Sequence, residues 1–383
     1  MKTYSPWCQN LVSISMIDCF ATTNSFQVDA QGKVSPCCKF KGNFSDVSSY
    51  KSVPEIFSDP KLTELKSQHA NGNWTKACLR CQQDEHTGKQ SRRKMYEVIG
   101  LNKDDYFIDI SLGNYCNLKC RMCGPENSTQ WYSDYEVLAE NNLATSEPYK
   151  SYLMDNATID MVADFISTVS GRVIVEVKGG EPLLMPNSEK FFASLSNCVN
   201  AGNIEIWIAS NGTRIPKWFE GCVSKFKSIE LSVSVDGTDE TYSYIRGTKH
   251  PYEDVIRNSI TVKNMKNVML RFNVVVQNLN IRNVADLYDD LHSIVGSHDK
   301  ITLIVLRFPV YYQINIYPDD KKDDIINEMI NREISHNSSY RAIVNLLTMP
   351  NDVITWNMFQ RVTKLLDDRR GQDVKGVDQC LMI

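Results

Sequence analysis

The 383-residue chain lacks any apolar run approaching the roughly 18 residues from which a membrane-spanning helix is read. Its opening, MKTYSPWCQN, lacks an apolar core followed by small cleavage-site residues, so no secretory leader is expected and a cytoplasmic location is. An excess of one charge is missing too. The 46 acidic and 42 basic residues leave a formal charge of −4, which disfavours nucleic acid as the main partner. No repeat or low-complexity segment stands out. With 42% hydrophobic and 23% charged residues, the composition is that of a soluble globular protein able to bury a core. The length suits a large domain with a smaller one, or a barrel with a long extension.

Cysteine, by contrast, is plentiful. Twelve are present, and clustered spacing without a leader argues for reduced thiols and metal ligands over a disulfide framework. Residues 109–125 read DISLGNYCNLKCRMCGP: a strand end breaks at Gly113 and Asn114 into a turn carrying Cys116, Cys120 and Cys123. Three thiolates at this C-x3-C-x2-C spacing do not complete a four-cysteine zinc site. They do hold three corners of an iron-sulfur cube and leave one iron open to a small molecule.

A second group comprises Cys19, Cys37, Cys38, Cys78 and Cys81. Residues 25–37, SFQVDAQGKVSPC, alternate around Gln31 and Gly32 as a hairpin, and residues 53–69 are helical in spacing with a break at Pro60. The pair Cys78-Leu79-Arg80-Cys81 plus two cysteines from the hairpin region make a four-thiolate set, suited to an iron-sulfur cluster or to structural zinc. Cys37 and Cys38 compete for one place. Cys8, Cys198, Cys222 and Cys380 stand apart and read as small apolar or surface residues.

From residue 106 strands and helices alternate. Strands are expected over 107–112, 173–178, 204–210, 229–235, 268–276 and 301–307, with helices over 157–169, 188–199, 252–263 and 284–294. This order implies a parallel sheet of α/β class, and six strands against the eight of a closed barrel imply an open, partial (β/α)6 barrel of the TIM type. Helices over 319–334 and 340–368 are expected to cover its open edge or bottom, followed by a loose tail over 371–383. Within the strands, Glu230, Ser232, Ser234 and Asp236 alternate with apolar residues, as do Glu176 and Lys178, and Arg271 and Asn273. Polar residues on one face of several strands predict a lumen for a polar ligand.

Gly179-Gly180-Glu181-Pro182 ends one strand, and glycines there allow close backbone approach to a zwitterionic ligand. Ser210-Asn211-Gly212 and Ser234-Val235-Asp236-Gly237 end the next two, at the face where barrel enzymes place their sites. Cysteine triad, Gly-Gly-Glu-Pro and Ser-Val-Asp-Gly together resemble a radical S-adenosylmethionine (SAM) enzyme. The spacing of Cys19, Gly32 and Cys37, followed by Cys78 and Cys81, is similar to a twitch or SPASM auxiliary-cluster domain, here placed ahead of the core.

The resemblance implies three parts: a cysteine-rich twitch domain over 1–98, a SAM-binding core over 99–310 and C-terminal helices over 311–383. It implies a 4Fe-4S cluster on Cys116, Cys120 and Cys123 that binds SAM and, on reduction, cleaves it to methionine and a 5′-deoxyadenosyl radical that abstracts hydrogen. It implies a second 4Fe-4S cluster on Cys19, Cys37, Cys78 and Cys81, with zinc as the alternative, in an electron-handling role. Met122 stands where relatives place an aromatic residue near the adenine. Gly179, Gly180, Glu181, Pro182, Ser210, Ser232, Ser234, Asp236, Arg246 and Asn273 are the implied SAM contacts. A peptide or protein is the implied substrate, with a nucleotide or sugar as alternatives, and flavodoxin or ferredoxin the implied electron donor. A different class is a cluster- or zinc-bearing binding protein that no longer cleaves SAM.

Overall fold

The computed structural model describes residues 16–144, 149–351 and 353–381; Cys8 lies outside them. The N-terminal part runs α1 (Ala21–Asn24), β1 (Ser25–Val28), β2 (Val34–Ser35), α2 (Val53–Phe57), α3 (Pro60–Ala70), α4 (Leu79–His86) and α5 (Arg92–Val98). The break between α2 and α3 has the expected cause: Pro60 opens α3, and Asp59 caps it by accepting from the Lys61 amide.

The barrel strands are β3 (Tyr106–Ser111), β4 (Val173–Lys178), β5 (Ile204–Ser210), β6 (Ser228–Ser234), β7 (Val268–Val276) and β8 (Ile301–Val305). Between β3 and β4 lie α6 (Tyr132–Glu140) and α7 (Asn156–Thr168); α8 (Ser188–Ser196), α9 (Lys217–Val223), α10 (Asp239–Arg246), α11 (Tyr252–Lys263) and α12 (Val284–Val295) follow later strands. After β8 come α13 (Lys322–Ile330), α14 (Tyr340–Leu347) and α15 (Val353–Arg370). No described helix is long and apolar enough to cross a membrane.

All six barrel strands pair in parallel, in sequence order. Alternation decides which face each residue takes. In β6, Ile229, Leu231 and Val233 are buried in the core with helix residues such as Tyr242, Ile245 and Val255, while Glu230, Ser232 and Ser234 are half-buried. The polar face is therefore the lumen. Its floor is apolar, where Phe107, Ile174 and Tyr96 pack together with Trp207 against them.

Three features depart from the sequence reading. The hairpin joins the barrel sheet, with β1 in parallel register on β3 (Ser25 opposite Phe107 through Val28 opposite Ile110), which makes eight strands in all. The last helix, α15, packs on α6 beside the cysteine turn instead of only closing an edge or the bottom. The final segment is docked, not loose: Val374 and Leu381 are buried, and Asp378 accepts from the Tyr317 hydroxyl at 2.6 Å.

Candidate functional site

Two sets of thiols converge, each on its own cavity. Cys116, Cys120 and Cys123 sit in the turn after β3. The turn is held from several sides: Arg121 N donates to Ile245 O (2.7 Å), the Trp131 indole to Cys120 O (2.9 Å), and Ser128 to Leu118 O (2.5 Å). The fully buried Asn114 amide reaches Tyr132 and Lys150 O (3.0 and 3.1 Å) and so fixes where the turn leaves the strand.

These three cysteines line a cavity of about 320 Å³ together with Met122, Gly179, Gly180, Glu181, Ser234 and Arg246. Gly180 has φ of 55°, and a Cβ there would strike the Tyr115 carbonyl, so glycine is required for the approach. Tyr115 O also accepts from Glu181 N at 2.8 Å, joining the Gly-Gly-Glu-Pro segment to the cysteine turn.

Glu181 spends its carboxylate on the scaffold. It accepts from the Ser210 hydroxyl (2.8 Å) and from the amides of Leu183 (3.1 Å) and Asn211 (2.6 Å), while burial raises its pKa. Ser210 is thus a support for Glu181 and not a wall of the cavity. Asp236 likewise turns away: it is fully buried and takes Arg246 Nη1 at 2.8 Å and the Val275 amide at 2.7 Å. Pro182 offers its carbonyl to Ser188. Ser232 and Asn273 face the lumen without bordering this cavity, Asn273 lying in register with Ser234. The cavity wall also includes Asn211, which the sequence reading had only within a turn; its amide donates to Asn117 at 2.8 Å.

Burial dominates the electrostatics of the three thiols. Burial pushes the Cys116 thiol up to about 12, helped by Cys120 and Glu181, and burial raises Cys120 and Cys123 as well. Arg246, buried and held charged against its own desolvation by Cys120 and Asp236, pulls Cys116 and Cys120 the other way. Thiols crowded together out of water release their protons when a metal compensates the charge. The three-thiol set with one open side therefore fits an iron-sulfur cluster that takes a further ligand.

In the N-terminal part, Cys19, Cys37, Cys78 and Cys81 line one small cavity, with His69, Trp74, Arg92, Arg93 and Tyr96 around them. Burial pushes Cys19 up to about 12 and also raises Cys37 and Cys78. Cys38 does not border this cavity; it acts electrostatically on Arg92 and Lys178, which face the lumen. There Lys178 Nζ bonds Asp109 at 2.6 Å and lies 3.5 Å from Glu176, and Arg92 bonds Glu176 at 2.7 Å. A charged quartet thus stands between the two thiol sets.

Residues 110–291 match the radical SAM superfamily model, and residues 19–82 match that of an iron-sulfur cluster-binding domain, SPASM. The chain thus carries a radical SAM domain, which takes in just under half of its length, and a SPASM domain ahead of it. The cofactors that go with these two matches are a 4Fe-4S cluster with SAM and a further iron-sulfur cluster. A curated relative, the Fe-coproporphyrin III synthase of Methanosarcina barkeri, is 25% identical over 262 residues, which take in 67% of this chain but only 54% of that protein. Among solved structures, native anSMEcpe with bound AdoMet overlaps 63% of this chain and 62% of its own at 17% identity and a TM-score of 0.41. Streptococcus suis SuiB bound to S-adenosylmethionine overlaps 61% and 49% at 15% identity and 0.34.

Proposed function

We propose that the protein is a radical SAM enzyme in which Cys116, Cys120 and Cys123 hold the SAM-binding 4Fe-4S cluster and Cys19, Cys37, Cys78 and Cys81 hold the auxiliary one. Bound there, the reduced cluster and SAM supply a 5′-deoxyadenosyl radical that takes hydrogen from a substrate carbon. The observation that carries this reading is the meeting of three thiols, the Gly179-Gly180 backbone and Arg246 around one cavity. Gly179 and Gly180 leave their main-chain polar groups open to the amino-acid end of SAM. Arg246 balances thiolate charge, Met122 gives the adenine an apolar wall, and Ser234, with Asn273 beside it, offers hydroxyl and amide groups to the rest of the cofactor. In this reading residues 1–98 are the auxiliary unit, 99–310 the SAM-cleaving core and 311–383 a helical brace. Flavodoxin or ferredoxin delivers the electron, in the cytoplasm.

The substrate lies in the lumen between the two thiol sets. Lys178 is 28% exposed there and Glu176 23%, one a donor and the other an acceptor. An amide needs both, which favours a peptide or protein side chain as substrate. Cys19, Cys37, Cys78 and Cys81 would hold beside it a cluster able to accept the electron left on the substrate. A second reading, a carboxylate-bearing tetrapyrrole, is favoured by the match to the coproporphyrin synthase and by the lumen cations Arg92, Lys178 and Arg271.

Anaerobically purified protein given SAM and dithionite should release 5′-deoxyadenosine, and a C116A/C120A/C123A variant should not. Iron should fall from about eight to about four per chain in that variant, as two four-iron clusters require. Protein that holds its iron yet releases no 5′-deoxyadenosine would be a binding protein, and the enzymatic reading would fall. Formation of iron coproporphyrin III from a precursor iron tetrapyrrole in the same assay would replace the peptide by the tetrapyrrole.

A further inference from the structure

His69, near the end of α3, is 3% exposed, and neither ring nitrogen has a hydrogen-bond partner. Its backbone is anchored, the carbonyl accepting from the amides of Ile17 (2.9 Å) and Gly72 (3.0 Å). Trp74 packs edge-on against the ring, with centroids 6.2 Å apart. The imidazole therefore has no other place to go, and it borders the same cavity as the four N-terminal cysteines.

In any protonation state open to it in a folded protein, an imidazole carries at least one N–H, and here that group is buried without a partner. A buried N–H without an acceptor is costly, and such groups in folded proteins call for an explanation. Lys39, Arg92 and Arg93, which also border the cavity, can only donate. The Tyr96 hydroxyl is already engaged by Arg92 (3.3 Å) and Ser25 (3.4 Å), so the free side-chain acceptors lining the cavity are the sulfurs. A neutral thiol accepts weakly, whereas the thiolates and sulfides of a bound cluster carry negative charge and accept well.

Resting on the reading that these four cysteines hold an iron-sulfur cluster, we infer that His69 donates its ring N–H to a sulfur of that cluster and thereby sets its reduction potential. His69 is a positioning and tuning residue, distinct from the ligands. Reduction adds negative charge to the cluster, so a hydrogen bond to sulfur favours the reduced form and raises the potential. The cluster is then a readier acceptor for the substrate's electron.

The test uses the full chain carrying C116A/C120A/C123A, in which only the N-terminal cluster remains, with and without His69→Leu or His69→Gln. Iron and acid-labile sulfide are counted first, then the cluster is titrated potentiometrically by electron paramagnetic resonance. The expected result is unchanged iron, a midpoint potential shifted negative in His69→Leu, and partial recovery in His69→Gln, whose amide can donate. Pulsed resonance on protein labelled with 15N-histidine should show a weak nitrogen coupling that both substitutions abolish. An intact cluster with the same potential in all three proteins, or without nitrogen coupling before substitution, overturns the inference. Absence of iron and sulfide from the triple variant overturns instead the cluster reading beneath it. Should His69→Leu lose its iron, His69→Gln decides: coupling lost and potential lowered supports the bond, and an unmoved potential refutes it.

Discussion

Arg121, between Cys120 and Met122, forms a buried ion pair with Asp367 of α15, which lies 246 residues further along the chain. The guanidinium is fully buried and stacks on the Tyr244 ring at 3.9 Å, while the Tyr244 hydroxyl donates to the same carboxylate at 3.0 Å. The other carboxylate oxygen accepts from the Val374 amide at 2.9 Å. The C-terminal segment thus grips the cysteine turn from behind. Asp367→Ala strands a buried cation and should cost ~3 to 5 kcal/mol. A lowered melting temperature with loss of about half the iron is the expected readout, and normal iron binding would speak against the brace.

Glu181 joins the end of β4 to the end of β5 by accepting from Ser210 and Asn211, and a third bond, from the Leu183 amide, closes its own turn. Glu181→Gln keeps the shape but turns one acceptor into a donor that must face an amide. With iron content held constant, SAM affinity should fall by ~2 kcal/mol, roughly 30-fold. Ser210→Ala removes one donor and should cost only ~1 kcal/mol. Equilibrium binding of SAM measures both.

Cys37 and Cys38 are adjacent, yet only Cys37 borders the N-terminal cavity. Cys38→Ala should leave iron and sulfide at the wild-type level. Cys37→Ala should remove the N-terminal cluster and sharply reduce its visible absorbance. Equal losses in the two variants would mean that the thiols share the ligand position.

Asp109 is 1% exposed in the lumen, faced by Lys178 and Glu176 from β4 and by Arg92 from α5. Burial pushes its carboxyl up from 3.8 to about 6, although Lys178 pulls it down. A carboxyl that holds its proton more tightly folded than unfolded adds stability at acid pH. That contribution is present below 3.8 and is lost as the pH rises through about 6. Asp109→Asn should flatten this fall, worth at most ~3 kcal/mol. Denaturant unfolding of the anaerobic holoprotein at several values between pH 4 and 7 would reveal it, and an unchanged slope would assign the effect elsewhere.

The barrel was legible because its strands carry a period of two: Ile229, Leu231 and Val233 had to point one way and Glu230, Ser232 and Ser234 the other. Periodicity does not name a strand's partner, however. The four-residue β1 pairs with β3 some 80 positions on, and nothing local in Ser25–Val28 encodes that. The direction of side chains beyond a strand end is equally hidden. β6 ends at Ser234, so extending its alternation to Asp236 put that carboxylate in the lumen, whereas the turn delivers it to Arg246. Ser210 falls on the helix-facing side of β5 with Ile206 and Ile208, and its hydroxyl serves Glu181 there. His69 gave no signal in sequence, because a lone histidine at the end of a helix is unremarkable until its burial is known.

The β1–β3 ladder makes the N-terminal unit the first stave of the barrel rather than a hinged accessory. Main-chain bonds hold it, so the separation of the two thiol sets is fixed like the pitch of a screw and is indifferent to most side-chain changes. The opposite edge is built differently: there β8 ends the sheet with Thr302 and Ile304 exposed, and no further described strand holds it in register.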